Sequence, residues 1–475
     1  MDMLACHLDR SAAIPLYEQL YIHIKKEIQE AKLETGAKLP SKRKLAEFLD
    51  ISMNTVETAY AQLCAEGYID VLPRKGYYVL EQEDLEYSPS EKVNAGSIET
   101  DQEEFLFQFH PGHIDSESFP FEKWRKHVKN AINKEQSSLL LLGSNQGELE
   151  LRQEIAHYLY HSRGVHCQPD QIIIGAGIEI LLQQLVLLFS EAIAYGVEDP
   201  GYHLMLRILK SYRNIVHPLE VDEEGVDVEE IQGKSIDVVY VTPSHHFPYG
   251  TVLSVNRRQK LLNWAYSAEN RYIIEDDYDS EFRYSGKTIP SLQSMDHGGK
   301  VIYLGSFSKS LMPSIRISYM ILPQPLMQSY QEKLSFYHST VSRIDQVALT
   351  NFMRQGDFEK HLNRMKKVYR RKMDLVMDVL KPYKDKIGVI GGQSGLHIVL
   401  NLLNGMKEEE LVNKAAASRI KVYPISVYTI EKNRNHSPQI VLGVAGIPEK
   451  ELKEGLLLLL KAWEIETVSN RAADK

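Results

Sequence analysis

Cysteine is scarce in this chain: three in 475 residues, Cys6, Cys64 and Cys167, far apart and without a C-x-x-C pair. That excludes a disulfide framework and leaves no thiolate set for zinc, so no metal site is expected and a reducing compartment fits. An excess of positive charge is missing too. The formal net charge of -9 excludes a protein that coats nucleic acid through overall charge and confines any such contact to a local patch. Long apolar runs are absent: Ile172 to Phe189 is interrupted by Glu179, Gln183 and Gln184, short of the about 20 apolar residues of a membrane span. Met1 to Arg10 carries acids and a histidine where a leader would have a basic segment and an apolar run, so an unsecreted, cytoplasmic protein with no membrane partner is expected. There is no internal repeat or low-complexity tract.

What is present divides into three regions. In residues 16–32, Leu16, Leu20, Ile24 and Ile28 fall at four-residue spacing on one helix face. Pro40-Ser41 opens a second helix with Ser41 as N-cap and Leu45, Phe48 and Leu49 turned inward. After a turn through Asp50 to Met53, a third helix buries Val56, Ala59, Tyr60 and Leu63, stops at Gly67, and leaves Asn54, Thr55 and Glu57 facing out. Tyr68 to Leu80 alternates and bends at Pro73-Arg74-Lys75-Gly76, a hairpin with a basic tip. The expected domains are therefore a helix-turn-helix with a wing over residues 1–80, an acidic linker over 81–104, and a large α/β domain over 105–475. In the last, Ile172-Ile174, Ala192-Val197, Val238-Val241, Tyr272-Ile274 and Val301-Leu304 read as strands. Polar or glycine residues follow each, where α/β sheets place ligands.

Lys38, Lys42, Arg43 and Lys44 cluster at the start of the second helix, and Arg74 and Lys75 at the wing tip. Such groups hold a duplex by its phosphates, and the exposed start of the third helix, Met53, Asn54 and Thr55, is placed to read bases. Solvated charge is the plainer reading of any basic patch.

In the large domain, GSFSKSLMPSIR offers Ser306, Ser308, Lys309 and Arg316 after a strand, a phosphate cradle around a lysine. YIIEDDYDSEF ends a strand with Asp276 and Tyr278. Gly177 and Ile178 present backbone N–H groups at a helix N-terminus, and Tyr202 in VEDPGYH offers a stacking ring. Taken singly, each is more often a surface loop or a turn. Together they supply what pyridoxal phosphate requires: a lysine for the Schiff base, an acid on the pyridine nitrogen, a partner for the ring hydroxyl, and donors and charge for the phosphate.

LPSKRKLAEFLDISMNTVETAYAQLCAEGYI followed by RKGYYV resembles the GntR-type winged helix-turn-helix. The order GSNQGELELRQEIAHYL, GAGIEILL, EDPGYH, TPSHHFPYG, EDDYDSEF, SFSKS is similar to fold-type I aminotransferases from about Phe105 onward. The fusion resembles the MocR subfamily, to which GabR belongs. The resemblance implies an α+β winged helix, then an α/β fold-type I aminotransferase-like domain with a small C-terminal α+β subdomain. It further implies pyridoxal 5'-phosphate at Lys309, operator DNA and a small amine or amino-acid effector as partners, and a head-to-tail homodimer. A working aminotransferase with an accessory DNA-binding domain is the competing function, and a binding module without the cofactor a third.

The sequence departs from these patterns at four places. Met53 stands where an arginine is frequent. His245-His246-Phe247-Pro248-Tyr249-Gly250 replaces an N-P-T-G turn and has no asparagine, leaving His245 and His246 as open substitutes. Ile440 to Gly443 lacks the arginine that binds a substrate carboxylate, with Arg434 the nearest alternative in sequence. Leu204 stands where a further arginine is frequent.

Overall fold

A computed structural model describes residues 6, 8–81, 105–189, 193–431 and 437–465 of the chain. The chain divides into two compact units, residues 1–100 and 101–475. The expected linker beyond Glu81, and Arg434, lie outside the described residues. Cys6, Cys64 and Cys167 are free thiols. Among the described residues no helix is long and apolar enough to cross a membrane.

Among the described residues the first unit has three helices, α1 (Leu16–Gln29), α2 (Lys42–Leu49) and α3 (Met53–Ala65), and a hairpin of β1 (Ile69–Leu72) and β2 (Gly76–Val79). Its core is the expected stripe: Leu20, Ile24, Ile28, Leu45, Val56, Ala59, Tyr60 and Leu63 are buried, and Ile69 and Val79 join them from opposite positions of the hairpin. Leu16 is only partly buried. Ser41 and Ser52 cap α2 and α3, accepting from the amides of Lys44 and Thr55. Gly67, at φ +75, turns the chain out of α3.

Phe48 corrects the sequence reading: it is 44% exposed. Leu45, Ala46 and Leu49 lie toward the core, and at about 100° per residue the arc they span leaves position 48 at its edge. Position i+3 from Leu45 lies on the far side of that residue from Leu49.

The second unit is built on an eight-stranded sheet. In chain order its strands include β3 (Phe107–Gln108), β4 (Ile172–Gly175), β5 (Ala194–Asp199), β6 (Ile215–Asp222), β7 (Gly225–Val226), β8 (Val238–Val241), β9 (Tyr272–Asp277), β10 (Val301–Ser306) and β11 (Ser318–Ile321). The large sheet runs β4-β11-β10-β9-β8-β5-β6-β7. β10, β9, β8, β5 and β6 are parallel, whereas β11 is antiparallel to both neighbours. Four of the five runs expected as strands fall in this sheet, and of the fifth, Ala192-Val197, the strand begins at Ala194 while Ala192 lies outside the described residues. β6 and β11 were not marked: β6 contains Pro218 and charged Glu220 and Asp222, which read against a strand, and β11 is four residues long directly after a loop.

Successive side chains of a strand point to opposite faces, and both faces here are apolar. Ile173, Tyr195, Val238, Ile274 and Ile302 pack under the helices Ile178–Phe189, His203–Ser211 and Gln324–Leu334. Ile172, Tyr303 and Tyr319 face Leu151, Ile155 and Phe352, and Val239, Ile273 and Val301 face Leu261 and Trp264. Helices on both faces leave the strand ends as the open ground for a ligand. Toward the C-terminus the strands 387–391, 397–402, 439–443 and 423–424 form a four-stranded antiparallel sheet, whose Ile398, Leu400, Ile440 and Leu442 pack against Leu452, Leu456 and Trp463. This is the expected small α+β part.

The different placement of two neighbours on α2 has a measurable consequence. Leu45→Ala should lower the opening free energy of the α2 and α3 amides by about 2–5 kcal/mol. Phe48→Ala should leave it within about 0.5 kcal/mol. Hydrogen exchange on the full chain reads both.

Candidate functional site

The chain leaves β5 for β6 on one side and later returns to β8 on the other, so the C-terminal ends of β5 and β8 form a switch point where a crevice opens. The neighbouring strand ends deliver the expected residues there: Gly177 and Ile178 follow β4, Tyr202 follows β5, Asp276 and Tyr278 close β9, and Ser306, Ser308 and Lys309 follow β10.

Lys309 lies in the one-turn helix Phe307–Ser310, and its Nζ donates to the Pro111 carbonyl at 2.8 Å. Burial pushes its amine down to about 8, against the pull of the Asp279 carboxylate. Asp276 is buried on β9. Its Oδ2 accepts from the Tyr240 hydroxyl, while Oδ1 is buried with no hydrogen-bond partner among the described residues. Burial raises this carboxyl to about 7. A buried acceptor left open in this way is costly unless a donor arrives, and a protonated pyridine nitrogen is such a donor.

Asp277, the next residue, points to the other face and serves the fold. It accepts from Arg163 Nε at 2.7 Å and from the Tyr303 hydroxyl, and Arg163 also donates to Ser244 Oγ at 2.5 Å.

The cradle is tightly built. Gly177 has φ +102, and a Cβ there would lie 2.0 Å from a terminal nitrogen of Arg316. Only glycine admits that approach. Arg316, itself at φ +52, donates to the Ala176 carbonyl at 3.2 Å and to Glu179 Oε1 at 2.5 Å. Ser306 Oγ accepts from the Ser308 amide at 3.1 Å and lies 2.9 Å from the hydroxyls of Ser308 and Ser318. One expectation is corrected: the Gly177 amide donates to the Gly175 carbonyl at 2.9 Å. It is therefore not an open donor, because the positive φ folds the turn back on the strand end. Ile178 opens the helix Ile178–Phe189, whose first-turn amides have no partner within the helix.

Tyr202 precedes the helix His203–Ser211 and meets Phe247 edge-on at 6.3 Å. It lines a small recess of about 40 Å³ together with Glu198, His203, Tyr240 and Tyr428. Glu198 is buried, accepts from the Thr242 amide and hydroxyl at 3.0 and 2.6 Å, and is raised to about 8 by desolvation. His245 Nδ1 lies 2.9 and 3.0 Å from the two Asp279 oxygens and 3.0 Å from the Tyr278 hydroxyl. His246 is buried, 3.8 Å from Glu198, and desolvation lowers it to about 3.

Tyr240, Glu198, Asp279 and the Pro111 carbonyl escaped the sequence reading. Tyr240 gives the clearest reason, since inside VVYV it looks like core. A backbone carbonyl brought from nearly 200 positions away leaves no signal in sequence.

In the first unit the basic candidates are partly engaged. Lys42 pairs with Glu57 at 2.5 Å and Arg43 with Glu47 at 2.9 Å. Arg74, at φ +64, and Lys75 form the exposed wing tip. Met53 is 54% exposed and Asn54 is exposed at the start of α3. Thr55 is partly buried and turns back, its hydroxyl 2.8 Å from that of Ser52.

Comparison with known proteins identifies both parts of the chain. Residues 113–457 match the family model "Aminotransferase class I and II", and residues 16–79 match "Bacterial regulatory proteins, gntR family". The chain is 44% identical over 463 residues to the HTH-type transcriptional regulator YdeL of Bacillus subtilis, covering 96% of this chain and 99% of the relative. It is 30% identical over 475 residues to a probable rhizopine catabolism regulatory protein, MocR, of Rhizobium meliloti, covering 96% and 95%. Among solved structures, kynurenine aminotransferase of Pyrococcus horikoshii superposes with a TM-score of 0.67 at 23% identity, over 77% of this chain and 92% of that one. Pyridoxal 5'-phosphate is the cofactor that this aminotransferase fold implies, and the open Asp276 oxygen, the half-buried, desolvated lysine and the cradle at Gly177 fit it. A GntR-type winged helix joined to an aminotransferase class I and II domain, with regulators of the same build as relatives over nearly its whole length, places this chain in the MocR-type subfamily of DNA-binding transcription regulators.

Proposed function

We propose that this regulator works in the cytoplasm as a head-to-tail homodimer and senses a small amine or amino acid through its pyridoxal phosphate site, changing how its winged helices hold operator DNA. The observation that carries the reading is the Asp276 carboxylate, buried with one oxygen satisfied by Tyr240 and the other open, at the end of the strand that neighbours the one leading to the desolvated Lys309. When bound, the cofactor supplies a carbonyl for amines and an electron-withdrawing ring. In this reading Lys309 is the amine that holds it, Asp276 keeps its ring nitrogen protonated, and Tyr278 faces its ring hydroxyl. Tyr202 stacks on the ring, and Arg316, Ser306, Ser308 and the turn at Gly177 and Ile178 hold its phosphate. Glu179 yields Arg316 when a phosphate takes its place.

The strand Gln439–Gly443 is buried along its length and carries no arginine. A carboxylate fork for turnover of α-amino acids is not supplied there, which favours sensing over metabolism. On the DNA side, Arg74, Lys75, Lys42 and Arg43 contact phosphates, and Met53, Asn54 and Thr55 approach base edges. Lys42 and Arg43 exchange Glu57 and Glu47 for phosphate. Two winged helices in a twofold dimer match two half-sites.

A mobility shift on the DNA upstream of the gene, with pyridoxal phosphate and a panel of amines, should change with at least one amine, in step with the visible absorption of the loaded protein. DNA binding indifferent to every amine while the absorption responds would refute sensing. Lys309→Ala should keep DNA binding and lose the effector response. Arg74→Ala should weaken binding evenly across DNA sequences and reduce the salt slope by about 1; a loss confined to one base position would contradict a phosphate contact. In the cofactor-free protein the Lys309 amine is lowered from its ordinary value to about 8. Addition of an aldehyde to it, trapped by borohydride and located by mass spectrometry, should therefore rise with pH through about 8, well before ordinary lysines react.

A further inference from the structure

At the end of β9 a second buried carboxylate meets a histidine. Both oxygens of Asp279 lie against His245 Nδ1, at 2.9 and 3.0 Å, and the Tyr278 hydroxyl is 3.0 Å from the same nitrogen. One nitrogen cannot donate to a carboxylate and accept from a phenol at the same time. A carboxylate only accepts, and the bond to it is the stronger of the two, so the proton sits on Nδ1 and is shared between Asp279 and the phenol oxygen. The hydroxyl hydrogen of Tyr278 is then left to point elsewhere.

The imidazole has little freedom to turn. A Cβ on Gly395 would lie 2.0 Å from its Cε1, and one on Gly250 would lie 3.0 Å from its Nε2. The other titratable groups that face it are His397, ring to ring at 5.5 Å, His246, whose charge state it influences, and Lys309, which feels Asp279. A histidine that only filled this space would have no use for a buried carboxylate, whose desolvation is costly.

We propose that His245, fixed by Asp279, is a positioning residue that holds the Tyr278 oxygen from behind and directs the phenol proton at the ring hydroxyl of the bound cofactor. It does so in a turn, His245 to Gly250, that has no asparagine for the purpose. The proposal rests on the reading that Lys309, Asp276 and Tyr278 hold pyridoxal phosphate.

The test is the pH midpoint of the visible absorption of the loaded protein, which reports loss of the proton shared between the Lys309 nitrogen and the ring oxygen. A donor to that oxygen favours the deprotonated form and holds the midpoint down. Tyr278→Phe should raise it by about 1 unit, and His245→Ala and Asp279→Asn should raise it in the same direction. His245→Asn, which returns an N–H near the place of Nδ1, should recover most of the shift. Combined with Tyr278→Phe, His245→Ala should add nothing, because both act on one hydrogen bond. If His245→Ala does not fold or load, Asp279→Asn keeps the imidazole and carries the same comparison. An unchanged midpoint in the variants that load, or a full additional shift on the Tyr278→Phe background, would overturn the proposal. A wild-type protein that gives no visible band with pyridoxal phosphate would overturn the cofactor reading beneath it.

Discussion

Four carboxylates buried within five residues at one strand end are the constraint around which the large unit is organised. Glu275, Asp276, Asp277 and Asp279 all lie at the C-terminal end of β9, in the middle of the sheet, and all are buried. Like charges this close in a low dielectric cannot stand without partners, and each has a different one. Glu275 accepts the amides of Leu292 and Gln293, both at 2.8 Å. Asp277 takes Arg163 and Tyr303, Asp279 takes His245, and Asp276 takes Tyr240 with one oxygen only. Of the four, Asp276 is the one with a buried oxygen that has no partner among the described residues, and that oxygen marks where a donor from outside belongs. The helix that ends at Arg163, the turn that carries His245 and the strand that carries Tyr240 are thereby tied to one point, and the crevice inherits its shape from these ties.

Much of this was legible in the sequence because it is local. The stripe Val56, Ala59, Tyr60 and Leu63, the cap at Ser41, and the strand runs that lead into EDD and GSFSK are written in consecutive residues, and the motifs put Asp276 and Lys309 each at the end of a strand. What was not legible is what folding brings from afar. Tyr240 reads as core until Asp276 is placed beside it, and the Pro111 carbonyl meets Lys309 across nearly 200 positions. Phe48 was misplaced for a subtler reason. Helical spacing gives an arc, and only packing says where the arc is centred. The Gly177 amide was misjudged because its positive φ, which lets Arg316 approach, also folds the N–H back to Gly175.

The winged helix shows a related economy on its surface. Lys42 and Arg43, at the start of α2, are held by Glu57 and Glu47. These pairs are weak at an exposed surface, yet they keep a chain of net charge -9 from presenting a bare cationic face there. The wing tip is the contrast, with Arg74 and Lys75 exposed on a left-handed turn. Selectivity between duplex and stray anions then rests on geometry as well as on charge.

If Arg316 takes the cofactor's phosphate as proposed, its pairing with Glu179 bears on the kinetics of cofactor loading. With the guanidinium already neutralised, the crevice offers an incoming phosphate little long-range attraction, and loading is an exchange of one anion for another. Its rate is then set by how often Arg316 swings clear of Glu179 and of the Gly177 backbone, a gating step inside the protein, and ionic steering through solvent contributes little.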